Sequence, residues 1–217
     1  MKIHHLHRSI PSQRAEAGVV VLHPWWGLND DVMALADRLA SEAGFVAVAP
    51  DLYDGKQPAT TIEGAEALQQ AQNEDAADAL ALAAVDALGE AIGDPSARMA
   101  TIGFSMGAAW AMWLPSLRPE ITATVVYYGS MSGPSLTRAR GPVLGHFAET
   151  DEYEAEENVS EFERTLRLAG REVEIFRYPG TGHWFAEPSH DAYDAAAADL
   201  AFERTVAFLR RHLLDAG

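Results

Sequence analysis

The sequence predicts an α/β fold, a mostly parallel sheet with helices on both faces. Three observations carry this. Apolar runs of strand length alternate with segments of helical periodicity along the chain. The runs are nearly continuous in apolar residues, as strands buried on both faces must be. Parallel neighbours need helical crossovers, which the intervening segments supply. The chain has 217 residues, 48% of them hydrophobic, enough for one such domain with a sizeable core.

The elements follow in order. Lys2–Ile10 reads as an extra edge strand. Its His4-His5-x-His7 run has a metal-binding residue type, but an exposed edge explains it without an ion, and no metal site is expected. Val19–His23 is the first buried strand. Asn29-Asp30-Asp31 supplies an N-cap and an acidic first turn for a helix over about 29–43. Gly44 then stands where a helix end wants a positive φ. Phe45–Ala49 is the next strand. Asp54–Gly64 is polar, with Gly and Pro, and reads as a loose loop that is a candidate flap. Helix 73–92, strand Met99–Gly103 and helix 105–114 follow. Then come strands Thr122–Tyr128 and Pro142–Phe147, helix 157–169 with Gly170 behind it, strand Val173–Tyr178 and helix 193–213.

Composition excludes several function classes. The formal net charge is −16 and no Lys/Arg cluster is present, which speaks against nucleic acid and anionic membrane surfaces as partners. No stretch reaches the roughly 18 apolar residues of a membrane span. Met1–Pro11 is rich in His and lacks an apolar leader core, so a cytoplasmic protein acting on a small molecule is expected. With no cysteine there is no disulfide framework and no thiol nucleophile.

The segment "ATIGFSMGAAW" raises the chemistry. A strand runs into Gly103-Phe104-Ser105-Met106-Gly107 and a small-residue helix follows. In a G-x-S-x-G turn the glycines flanking the serine avoid collisions with neighbouring backbone, and the hydroxyl stands above the sheet. At roughly 7% each for Gly and Ser, chance supplies this pattern about 0.07 times in such a chain, so Ser105 is read as a nucleophile. A hydroxyl needs a base, and the base needs an orienting acid.

The chain order Ser, acid, His is met on strand-end loops after 142–147 and 173–178. His183 is the candidate base. Gly180 and Gly182 let its loop bend, and Trp184-Phe185 can pack it. His146 falls within a strand, while His190 and His212 fall in a polar loop and on the last helix, off this rim. Asp151 competes with Glu149, Glu152 and Glu154 as the acid. It is favoured as a turn-forming residue a few positions past the strand, the others reading as a solvated acidic face. One oxyanion donor is expected from the Met106 N–H. The second comes from the loop His23-Pro24-Trp25-Trp26-Gly27; Pro24 has no N–H, so Trp25 or Trp26 must serve. Expected pocket walls are Trp25, Trp26, Tyr53, Phe104, Tyr128, Trp184 and Phe185, with Trp110 and Trp113 left to core packing. This chemistry requires no metal or organic cofactor.

The stretches "VVVLHPWWGLNDDVMALADRLA", "GFVAVAPDLY", "GFSMGAAW", "VVYYG" and "GTGHWF" resemble the dienelactone hydrolase family over nearly the whole chain. The resemblance implies an α/β-hydrolase domain without a large cap, a triad at Ser105, Asp151 and His183, and an oxyanion amide at Trp25. Three positions depart from the family pattern. Ser105 stands where its best-known members carry cysteine. Pro24 stands where they carry a glutamate thought to govern the thiol's charge, a gate a serine–histidine pair does not need. Glu187 stands where an arginine helps hold a substrate carboxylate. The expectation is therefore a serine esterase for small, uncharged esters. The alternatives are a dienelactone or other lactone hydrolase, and a catalytically silent protein of this fold binding a hydrophobic ligand.

Overall fold

The computed structural model describes residues 4–215. Among them seven strands form one sheet: β1 (Leu6–Ser9), β2 (Gly18–Leu22), β3 (Val46–Pro50), β4 (Met99–Phe104), β5 (Ile121–Tyr127), β6 (Val143–Ala148) and β7 (Val173–Tyr178). Their order is β1-β3-β2-β4-β5-β6-β7. β1 is antiparallel to β3, and every other neighbouring pair is parallel. The predicted edge strand is therefore present, shorter than expected; Lys2 and Ile3 lie outside the described residues. His7 is committed locally, with its Nε2 2.9 Å from Asp37.

The helices are α1 (Asp30–Ser41), α2 (Ile62–Gln70), α3 (Glu74–Ile92), α4 (Gly107–Trp113), α5 (Pro134–Arg138), α6 (Glu156–Leu168) and α7 (Ala195–Leu213). Strand side chains alternate between faces. Val19 and Val21 pack with Ala36 of α1 and Leu209 of α7, while Val20 and Leu22 pack with Leu80 and Leu88 of α3. Further along the sheet, Val143 and Phe147 meet Phe162 and Leu166 of α6. Helices thus cover both faces. Asn29 caps α1 through Val32 N–H at 3.1 Å, and Gly44 and Gly170 adopt φ +83° and +75° after their helices.

Two helices were not expected from the sequence. α2 buries only Ala65, so it shows almost no apolar stripe; the Thr61 hydroxyl starts it by accepting from Gly64 N–H at 3.1 Å. The Asp54–Gly64 segment consequently ends in a helix, and Ala59 N–H ties it to the Trp26 carbonyl at 2.8 Å. α5 spans 5 residues, too short for a periodic signal. α4 begins at Gly107 rather than 105, because Ser105 has φ +46° and is not helical.

The order β3-β2-β4 means that the chain leaves β2 in one direction for β3 and returns on the other side for β4. In open α/β sheets the crevice at such a reversal, beyond the carboxyl ends of the strands, is where ligands bind. Here those ends carry His23-Pro24-Trp25 and Ser105.

Deeper in the sheet, His146 on β6 is fully buried. Its Nδ1 lies 2.8 Å from the Tyr178 hydroxyl and its Nε2 3.0 Å from that of Thr205. Burial, with the Arg204 charge adding to it, pushes the His146 pKa down to about 3. The ring stays neutral in the folded protein, whereas an unfolded histidine takes up its proton near 6.5. Between about pH 6.5 and 3 the unfolded chain binds a proton that the folded chain refuses, so stability falls as pH falls. Urea unfolding across this window is expected to show a His146 contribution of up to ~1.4 kcal/mol per pH unit, removed in His146→Asn.

Candidate active site

Ser105 sits at the end of β4 in a turn walled by backbone. A Cβ on Gly103 would come within 2.5 Å of the Gly107 carbonyl oxygen, and one on Gly107 would overlap the carbonyl oxygens of Leu22 and His23. Only glycine fits at either place. The turn is held by Ser105 N–H to the Tyr127 carbonyl at 2.9 Å and Ala108 N–H to the Ser105 carbonyl at 3.0 Å. Serine pays for this with a left-handed φ of +46°, a strain that persists only where surroundings impose it.

The two following strand ends bring up the partners. Glu149 N–H bonds the Tyr178 carbonyl at 3.2 Å, Thr150 N–H the Thr181 carbonyl at 3.1 Å, and Gly180 N–H the Glu149 carboxylate at 2.8 Å. These bonds lace the acid loop to the histidine loop. Asp151 is turned inward, its Oδ1 accepting from the N–H groups of Tyr153 and Glu154, both at 2.9 Å. His183 Nδ1 lies 2.8 and 2.7 Å from the two Asp151 oxygens, and its Nε2 lies 3.0 Å from Ser105 Oγ. A carboxylate only accepts, so Nδ1 carries the hydrogen and Nε2 presents its lone pair to the hydroxyl. The histidine is anchored from behind: Phe185 is fully buried, and Asp194 N–H bonds its carbonyl at 3.0 Å.

The loop after β2 completes the rim. The Pro24 carbonyl accepts from His23 Nδ1 at 2.6 Å and from Gly27 N–H at 3.1 Å. The Trp25 carbonyl accepts from the Tyr53 hydroxyl at 3.0 Å. Tyr53 is in turn set by Asp51, which accepts its N–H at 2.9 Å and that of Gly55 at 2.6 Å. The "PDLY" turn after β3 therefore fixes the orientation of the Trp25 carbonyl.

Comparison with known proteins identifies the family. Residues 7–213 match the model of the dienelactone hydrolase family. The chain belongs to that family. It is a hydrolase acting on ester-type bonds. Protein usf of Aquifex pyrophilus is 31% identical over 208 residues, covering 90% of this chain and 88% of the relative. A protein of Aquifex aeolicus (strain VF5) named "Putative carboxymethylenebutenolidase" is 29% identical, covering 92% and 90%. The crystal structure of a dienelactone hydrolase-like promiscuous phosphotriesterase from metagenomic libraries superposes with a TM-score of 0.80 at 24% identity, covering 93% of this chain and 88% of that one; it shares the fold.

In this dienelactone hydrolase family chain the hollow around Ser105 is about 250 Å³. Of the expected walls, Trp25, Tyr128 and Trp184 line it. Phe104 and Phe185 do not: Phe104 points into the core and stacks on Tyr127, and Phe185 packs against Tyr128 and Tyr178. Tyr53 is buried beneath the Trp25 loop, and Trp26 lines the neighbouring cleft instead. Five lining residues are not marked as walls by the sequence: Gln69, Gly129, Ser130, Tyr153 and Glu154. Gln69 comes from α2, the helix without periodicity. Tyr153 packs on His183, Trp25 and Trp184 with centroid distances of 5.1, 5.8 and 4.9 Å. Glu154, assigned to a solvated face, lines the hollow and accepts from Ser130 N–H at 2.6 Å and its hydroxyl at 2.9 Å.

Glu187 also corrects an expectation. It is 1% exposed and does not line the hollow, so it meets no substrate carboxylate there. It accepts from the Tyr128 hydroxyl at 2.6 Å. Burial, then the nearby Asp31 charge, push its pKa up to about 8. Tyr128, held at φ +36°, rests its ring 4.9 Å from that of His183. His190 is likewise not remote from this rim; it packs on Trp184 and Trp26 at 5.1 and 4.7 Å.

The walled turn makes a direct prediction. Gly107→Ala forces a methyl into the β2 carbonyls and is expected to cost at least about 1–3 kcal/mol. In a chain of this size each kcal/mol lowers the thermal midpoint by roughly 2–4 °C, readable by circular dichroism.

Proposed function

We propose that the chain is a serine hydrolase that cleaves carboxylic esters of small, uncharged substrates through an acyl-enzyme. The observation that supports this best is the continuous contact Asp151–His183–Ser105, at 2.7 and 3.0 Å. His183 Nε2 takes the hydroxyl proton as Ser105 Oγ attacks the carbonyl carbon. Asp151 holds the tautomer and stabilises the imidazolium that forms. The Met106 and Trp25 N–H groups receive the developing oxyanion, a contribution of about 100- to 1000-fold in rate for each donor. The imidazolium then protonates the departing alkoxide. Water, deprotonated by the same nitrogen, attacks the acyl carbonyl, and Ser105 leaves with its proton restored.

The lining favours an uncharged substrate. The hollow presents the carboxylate of Glu154 and neither Lys nor Arg. A carboxylate-bearing substrate would enter without a counter-charge and against a net charge of −16. Its volume of about 250 Å³ lies below the roughly 300–1,000 Å³ of common ligand pockets, which favours short groups. Lactones present the same carbonyl chemistry, and a relative named as a carboxymethylenebutenolidase keeps lactone hydrolysis as the second reading.

A fluorophosphonate probe is expected to label the parent chain and not Ser105→Ala. Turnover of short aryl esters should fall by at least about 10⁴-fold in Ser105→Ala, His183→Ala and Asp151→Asn. A folded parent chain that neither labels nor turns over esters or lactones would make it a binding protein instead. In a substrate panel, neutral short-chain esters are expected to exceed a dienelactone carboxylate in kcat/KM. The reverse order would establish the lactone reading.

A further inference from the structure

Behind the histidine loop, outside the catalytic hollow, Asp31, Glu187 and His190 converge. Each offers one ligand atom, and these atoms lie within 4.8 Å of one another. They come from two elements, the first turn of α1 and the loop that follows His183. The Glu187 side chain is 2% exposed. One of its oxygens accepts from Tyr128; the other, Oε2, has no hydrogen-bond partner. The Asn29 side chain also favours the charged form of Glu187, yet leaves Oε2 without a hydrogen bond. Oε2 faces His190 Nε2 across 3.7 Å.

That separation is too long for a hydrogen bond. It suits two ligands of one ion, since donors roughly 2.0–2.2 Å from a metal stand about 3–4 Å apart. Asp31 is oriented for the same purpose. Its Oδ2 accepts from Ser189 N–H at 3.1 Å and the Ser189 hydroxyl at 2.5 Å, which fixes the carboxylate. A buried carboxylate oxygen without a partner is costly, and a second carboxylate beside it adds repulsion. The arginine of the adjoining cavity does not relieve this. Arg38 shares a cavity of about 70 Å³ with Asp31 and Glu187, but is engaged by Glu42 at 3.1 Å and Asp199 at 3.3 Å. From outside, Asp31 and His190 line a cleft of about 870 Å³, flanked by Trp26 and Trp184, which provides an entry path.

We propose that Asp31, Glu187 and His190 form a binding site for a divalent transition-metal ion of the zinc or manganese kind. One imidazole with two carboxylates selects such ions over calcium and magnesium, which prefer all-oxygen sites. The ion is structural. It ties α1 to the histidine loop and completes the coordination that Glu187 Oε2 lacks. Through the other oxygen of Glu187 it braces Tyr128 against His183, and no step at Ser105 passes through it.

The test is titration of ZnCl₂, and separately MnCl₂, into the full chain after chelation, followed by calorimetry and thermal unfolding. One equivalent is expected to bind and to raise the unfolding temperature. Affinity should drop at least about tenfold in Glu187→Gln, which keeps the side-chain shape, and in His190→Ala. Binding should persist when His4, His5 and His7 are replaced by alanine, and equimolar Mg²⁺ or Ca²⁺ should not compete. Absence of binding to the parent chain, or binding that survives either the Glu187 or the His190 substitution undiminished, overturns the proposal.

Discussion

The site depends on a steric constraint at the end of β4. Backbone from β2, β4 and α4 converges there so closely that no side chain fits at Gly103 or Gly107. The strand can become a helix within that space only by passing through a left-handed residue, and Ser105 is that residue. A loop placed on the surface by its own local bonds would let a hydroxyl wander through several rotamers. Here the same packing that joins strand to helix sets the position of Oγ, so the hydroxyl needs no separate ordering.

The other two members of the constellation are held by a different means. Their loops contribute few apolar anchors and many hydrogen bonds. Two main-chain bonds and one to the Glu149 carboxylate, between the 149–150 and 178–181 segments, make the Asp151 and His183 loops one unit, and Phe185 pins that unit to the core. Around it stand the rings of Trp25, Trp26, Tyr153 and Trp184, in edge, tilted and stacked contact with one another, with Tyr128 against His183 on the other side. Such rings bury large areas at small entropic cost and shield the imidazole from water. Shielding strengthens each electrostatic contact inside the hollow.

Legibility in the sequence followed the physical range of each signal. The buried parallel strands were readable because both of their faces are apolar, and the capped amphipathic helices because cap and stripe are local. Ser105 and His183 were readable because glycines at fixed offsets mark turns that need them. α2 escaped because a mostly exposed helix carries no stripe, and with it went Gln69 as a wall. Phe104 and Phe185 read as walls from sequence alone, but an aromatic beside a candidate catalytic residue need not share its direction. Adjacent residues on a strand point to opposite faces, and the residue after His183 turns its ring to Trp25 while the next turns into the core.

By itself, then, the sequence determined the layer architecture, the family and the chain order of the candidate nucleophile, acid and base, since these rest on local periodicity and on residue types at short spacing. The tertiary structure decided which carboxylate faces the histidine, which rings face the hollow, and that Glu187 lies buried beside Asp31 and His190 rather than at the substrate. Those outcomes depend on the direction of side chains from separate segments, 32 residues apart for Asp151 and His183 and more than a hundred for Asp31 and Glu187, and direction is set by packing between elements, which no local pattern encodes.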